Sequence, residues 1–140
     1  MGPQCDVLIV EDDYDIREVL TEVLQDEGYQ VAGAANGREA LDLFNRLIDL
    51  KRREGGEVGD RLGPRLILLD LMMPVMSGWQ FVAEQRQIPE IKDIPVVVVS
   101  ADGNLQQKAT SLGASGYLRK PIEIEALLAI VSRYCKKNER

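Results

Sequence analysis

The 140-residue sequence contains no histidine. That absence excludes a histidine-based catalytic triad, a histidine-ligated zinc site and a phosphohistidine supplied by the chain itself. Cysteine is nearly absent too. Cys5 and Cys135 lie far apart and form no metal-type spacing, so a reduced, cytoplasmic protein is expected. No apolar run approaches the roughly 20 residues of a membrane-spanning helix, and the opening "MGPQCD" has no basic-then-apolar signal segment. Positive charge is in deficit, 17 Lys and Arg against 23 Asp and Glu. The net charge of −6 argues against direct DNA binding by the surface as a whole. Neither G-x-G-x-x-G nor G-x-x-x-x-G-K-[ST] occurs, which ranks a nucleotide-binding module last among the readings. What is left for chemistry is carboxylates, hydroxyls, lysines and backbone.

The length, with 45% hydrophobic and 29% charged residues, suits one domain, 1–140, with its own core over about 6–136. "CDVLIV" reads as a buried strand. Ile16, Val19, Leu20, Val23 and Leu24 follow one helical face, closed by Gly28. "YQVAGAA" is a second strand, and Asn36-Gly37 a turn. Ala40, Leu41, Leu43, Phe44, Leu47 and Ile48 give a second helix, and "RLILLD" a third strand ending at Asp70. A third helix starts near Gly78. "IPVVVVS" is a fourth strand ending at Ser100, and Leu105 to Leu112 a short helix followed by Gly113. "GYLRKP" is a fifth strand, and Ile124, Leu127, Leu128 and Val131 mark a last helix. Five apolar strands alternating with helices predict a parallel sheet covered on both faces, an α/β doubly wound domain. The stretch 52–64, glycine-rich and charged, is read as a long solvated loop.

Ligands in such sheets bind outside the carboxyl ends of the strands. Those ends carry Glu11 and Asp12, then Asp70, Ser100 and Lys120. Taken singly, each has an ordinary explanation as a helix cap or a solvated loop residue. Together they place three carboxylates, a hydroxyl and an ammonium on one rim. Carboxylates about 4 Å apart repel by roughly 4 kcal/mol at an effective dielectric near 20. A hard cation with oxygen ligands offsets that cost, and Mg²⁺ fits a set of carboxylates, waters and a phosphate oxygen. The lysine and hydroxyl suit the remaining oxygens of a phosphoryl group. Asp13, the third acid, is expected to cap the first helix, and Arg17 to be a surface residue of that helix. Trp79, just after the loop, is read as packing rather than recognition, and Met72, Met73 and Met76 as loop packing around Pro74.

"VEDD", "LLDLMMPVMSG", "VVVVSA" and "GYLRKP" occur in that order over nearly the whole chain. In this it resembles the receiver domains of bacterial two-component response regulators, the CheY-like superfamily. The resemblance implies a flavodoxin-like sheet in the order 2-1-3-4-5 and a phosphoacceptor switch rather than an enzyme. It implies Asp70 as phosphoacceptor, and Glu11, Asp12, Asp70 and the Met72 backbone carbonyl as ligands of Mg²⁺. Lys120 pairs with the acceptor or its phosphate, Ser100 is the switch hydroxyl, Tyr117 the switch aromatic, and Lys120-Pro121 is cis. Pro74 and Gly78 shape the loop beside the acceptor. The phosphodonor is then a sensor histidine kinase or phosphotransfer protein, or a small acyl phosphate. The output is a protein target reading the face of helix 4, strand 5 and helix 5, with a homodimer through that face left open. No output domain is seen after the last helix, which fits either a stand-alone regulator or a receiver cut from a larger protein.

A phosphatase of the haloacid dehalogenase type also uses a nucleophilic Asp with Mg²⁺. That class carries a second acid two residues after the nucleophile, where this chain has Met72.

Overall fold

The computed structural model describes residues 6–57 and 63–135. Cys5, the centre of the charged loop and the end "KKNER" lie outside the described residues. Ten elements alternate: β1 (Val7–Val10), α1 (Tyr14–Asp26), β2 (Val31–Ala34), α2 (Gly37–Arg53), β3 (Leu66–Asp70), α3 (Gly78–Gln85), β4 (Val96–Ser100), α4 (Leu105–Leu112), β5 (Gly116–Arg119) and α5 (Ile124–Tyr134). The strands form one parallel sheet in the order β2-β1-β3-β4-β5, as expected. Among the described residues no helix is long and apolar enough to cross a membrane.

The three central strands are buried along their whole length. Their side chains alternate between two cores because strand residues point to opposite faces. Leu8, Val10, Ile67, Leu69 and Val98 meet Phe44, Phe81 and Leu105 on one side. Val7, Ile9, Leu66, Leu68, Val97 and Val99 meet Leu20, Leu24, Leu127 and Val131 on the other. Helices α2, α3 and α4 therefore cover one face, and α1 and α5 the other.

Local chemistry sets the helix ends. Asp13 caps α1, its carboxylate accepting from Ile16 N–H at 3.1 Å, as expected. Ser77 and Gln80 form a reciprocal capping box on α3. Gly113 ends α4 at φ 76°, the left-handed position that glycine occupies without strain. Two sequence expectations change. Asn36-Gly37 is not a free turn: Asn36 caps α2, accepting from Glu39 N–H at 2.9 Å, and Gly37 is already helical. Helix α2 runs on to Arg53, where Arg53 pairs with Asp49 one turn back, so the loop begins at Glu54 instead of Arg52. Gly28 closes α1 as expected: it follows the Glu27 cap at φ 97°, with its N–H on the Gln25 carbonyl at 3.0 Å and Tyr29 N–H on the Leu24 carbonyl at 3.1 Å.

The β3–α3 connection is tightly constrained. A Cβ on Gly78 would lie 2.9 Å from Leu71 Cα and 3.0 Å from the Asp70 carbonyl oxygen, so only glycine lets α3 start this close to the end of β3. Within the loop, Met76 N–H donates to the Pro74 carbonyl at 2.7 Å, and Val75 between them stands at φ 71°. This three-residue turn is strained for any β-branched residue. Val75→Asn, which tolerates positive φ, is expected to stabilise the protein by about 1 kcal/mol in urea unfolding. A variant no more stable than wild type sinks the strain assignment.

Candidate functional site

Because all five strands run the same way, their carboxyl ends share one rim. An open cleft of about 480 Å³ sits there, lined by Glu11, Asp12, Asp13, Ile16, Asp70, Met72, Ser100, Ala101, Asp102 and Lys120. The rim residues singled out from the sequence are thus brought together, except Tyr117, which lies on β5 and does not line the cleft.

Glu11 follows β1 directly and is buried at 2% exposure; Asp70 ends β3 at 4%. Asp12, between Glu11 and the helix cap, is exposed. One carboxylate oxygen from each of the three lies within 4.8 Å of the others. Lys120 binds both buried acids, at 3.0 Å to Glu11 Oε1 and 3.3 Å to Asp70 Oδ2. Backbone groups take the other oxygens. Asp13 N–H donates to Glu11 Oε2 at 3.1 Å, and Met72 N–H to Asp70 Oδ1 at 3.1 Å. The Lys120-Pro121 bond is cis, as expected.

The electrostatics follow from that burial. Desolvation pushes the Glu11 carboxyl up from 4.5 to about 7; the Asp13 N–H and Lys120 oppose the rise, and the Asp70 charge adds to it. Desolvation likewise raises Asp70, against the Met72 N–H and the Lys120 charge. Burial alone would lower Lys120, but the Glu11 and Asp70 carboxylates outweigh it and hold the ammonium above its ordinary value. The donor set is all oxygen, with no imidazole or thiolate, and one cation faces two buried acids with a third acid beside them. That fits a hard divalent cation with oxygen ligands.

Ser100 is buried at the end of β4, and its hydroxyl accepts from Asp102 N–H at 3.1 Å. Tyr117 on β5, paired in register with Val98, is half exposed. Two features were not foreseen. Asp102 is a hub: its Oδ1 accepts from Asn104 N–H at 2.7 Å, its Oδ2 pairs with Lys108 of α4, and its carbonyl accepts from Arg119 of β5 at 2.6 Å. The Lys108 ammonium, first among its contacts, holds the Asp102 carboxyl below the usual range. "ADGN" signalled a turn there but not its partners. Arg17, half-buried on α1, donates to the Glu11 carbonyl at 2.6 Å. Met72 is 67% exposed, whereas Met73 and Met76 pack into the core. Trp79, expected to pack, keeps 37% of its surface.

Residues 7–132 match the response regulator receiver domain family. The chain belongs to that family. It is a receiver of the two-component type, a phosphoacceptor signalling switch. The receiver is 36% identical over 130 residues to sporulation initiation phosphotransferase F of Bacillus subtilis, with 91% of each chain covered. It is similar in structure to the chemotaxis protein CheY4 of Vibrio cholerae, with a TM-score of 0.70, 31% identity and coverage of 94% of this chain and 99% of that one. It is 35% identical to response regulator MprA of Mycolicibacterium vanbaalenii over 88% of its own residues but only 47% of that protein. The receiver thus spans about half the length of this last relative and nearly all of the first two.

Proposed function

We propose that the receiver takes a phosphoryl group onto Asp70 from an external donor and that Ser100 and Tyr117 pass the change to a partner-binding face. One observation carries this reading: Asp70 is a buried carboxylate set between an acidic pair and a lysine at the open end of the sheet. An Asp70 carboxylate oxygen attacks the phosphorus. The P–N bond of a donor phosphohistidine, or the P–O bond of an acyl phosphate, breaks, and the leaving group keeps the bonding pair. The product is an acyl phosphate. Glu11, Asp12, Asp70 and the Met72 carbonyl would hold Mg²⁺, which when bound supplies charge neutralisation at the phosphoryl oxygens. Lys120, already on Asp70 Oδ2, stays beside the phosphoryl group as a fixed positive charge. The domain turns over no substrate besides its own acyl phosphate, so we class it as a switch rather than an enzyme. With no histidine in the chain, the donor is a sensor histidine kinase, a phosphotransfer protein or a small acyl phosphate. The direct test is Mg²⁺-dependent labelling by a phosphorylated donor, followed by hydroxylamine, which cleaves acyl phosphates. A hydroxylamine-resistant label rejects the reading.

In the structure the Ser100 hydroxyl accepts from Asp102 N–H. A phosphoryl oxygen on Asp70 would accept a hydrogen bond from that same hydroxyl. Drawing it inward vacates space beside β4, into which the half-exposed Tyr117 turns, reshaping the α4–β5–α5 face. Moving a population from 1:99 to 99:1 takes about 5.5 kcal/mol of differential stabilisation. A few charge-assisted hydrogen bonds of roughly 1.5–3 kcal/mol each reach that scale. Serine lacks threonine's extra methyl, so its hydroxyl is less firmly held and the switch is expected to leak. Ser100→Ala is expected to accept phosphate on Asp70 yet lose most of the response of Tyr117 and α4. NMR of the beryllofluoride adduct, a stable mimic of the acyl phosphate, reads this directly. Identical shifts in wild type and Ser100→Ala would route the coupling elsewhere. The face so exposed is assigned to a downstream protein or to a second copy; a monomeric adduct in sedimentation removes the second copy. Direct DNA contact has no place in this reading, given the net charge of −6.

A further inference from the structure

We infer that Arg17 is a positioning residue of the cation site, fixing the peptide that aims Glu11 and Asp12 into the cleft. The inference rests on the reading of those two acids as metal ligands. Arg17 Nη1 donates to the Glu11 carbonyl at 2.6 Å, a short charge-assisted bond. The guanidinium lies 5.4 Å from the centre of the Tyr14 ring, so it is held from a second side. Its stem runs along Gly33 of β2, where a Cβ would come within 3.2 Å of Arg17 Cδ. Glu11 N–H donates to the Ala34 carbonyl at 3.0 Å, which fixes the other side of the same residue.

Each remaining group of Glu11 is thereby assigned: backbone N–H to β2, backbone carbonyl to Arg17, Oε2 to Asp13 N–H and Oε1 to Lys120. Arg17 is the tie that joins α1 to the end of β1. The Glu11 carbonyl belongs to the peptide leading into Asp12, so rotation of that peptide would swing both carboxylates at once. Asp12 is exposed and has no strand pairing to hold it, so it depends most on this tie. Groups that orient ligands without touching the metal are commonly worth 10- to 100-fold in metal affinity.

The test is Mg²⁺ binding by isothermal titration on the whole chain, with no phosphodonor present. Arg17→Met keeps a long unbranched stem and removes the donor; it is expected to weaken Mg²⁺ roughly tenfold. Arg17→Lys, which retains a donor of similar reach, is expected to recover part of that loss. Leu20→Val trims the buried face of α1 without touching Glu11 and is expected to lower stability while leaving Mg²⁺ affinity within about twofold. Wild-type affinity in Arg17→Met, or an equal loss in Leu20→Val, overturns the inference. Asp12→Ala separates this from failure of the site itself: if it binds Mg²⁺ as tightly as wild type, the ligand assignment falls. If it loses binding while Arg17→Met does not, the site stands and only the role of Arg17 falls.

Discussion

Asp70→Asn is expected to fold as the wild type does and to take up no label from acetyl phosphate in the presence of Mg²⁺. The fold is expected to survive because the side chains are isosteric and the amide oxygen can still accept from Met72 N–H, the partner of Asp70 Oδ1. What disappears is the nucleophile. An amide oxygen is a poor attacker, and its product would carry charge that Lys120 cannot neutralise. The substitution also removes one candidate metal oxygen, so Mg²⁺ affinity falls as well. The two effects separate by titration: a deficit caused by metal loss alone recovers at high Mg²⁺, while a missing nucleophile does not. Label on Asp70→Asn at saturating Mg²⁺ would move the acceptor to another residue. Circular dichroism of the same sample guards against misfolding as the cause.

The elements that position Asp70 were legible in the sequence because each left a local signal. Strands such as "RLILLD" and "IPVVVVS" are continuous apolar runs, the signature of a parallel sheet buried on both faces. Helix α4 was bounded correctly because Gly113 marks its end. The convergence of Glu11, Asp12, Asp70, Ser100 and Lys120 followed from one rule about the carboxyl ends of parallel strands. What escaped was long-range or directional. Arg17 lies on a helix whose pattern reads only as amphipathic, and nothing in that pattern says its head turns back to the Glu11 carbonyl. Asp102 draws on α4 and β5 together, which no local window contains. The Asn36-Gly37 reading failed because the same dipeptide serves a turn or a helix start, and the apolar period behind it decides between them.

The empty-handed form of the acidic site carries a cost that varies with pH. Glu11 is raised from 4.5 to about 7 in the fold, mainly by burial, and Asp70 is raised for the same reason. A carboxyl with its folded pKa above its unfolded value contributes stability that is complete below the unfolded pKa and lost as pH rises through the folded one. Metal-free protein is therefore expected to lose about 3 kcal/mol of stability between pH 4.5 and pH 7.5 from Glu11, with Asp70 acting in the same direction. Mg²⁺ reverses this, since it binds the deprotonated carboxylates and stabilises the native state by mass action. Its stabilising effect is expected to be small at pH 5, to grow through pH 7 and then to level off. Asp12→Ala is expected to remove most of that response. It relieves repulsion in the cluster, so the metal-free variant is expected to melt higher than metal-free wild type at pH 8. Calorimetric scans at pH 5, 6, 7 and 8, with EDTA and with saturating Mg²⁺, measure both terms. A Mg²⁺ effect independent of pH would mean that the raised carboxyls are not the ligands, and an equal effect in Asp12→Ala would take the cation away from this cleft.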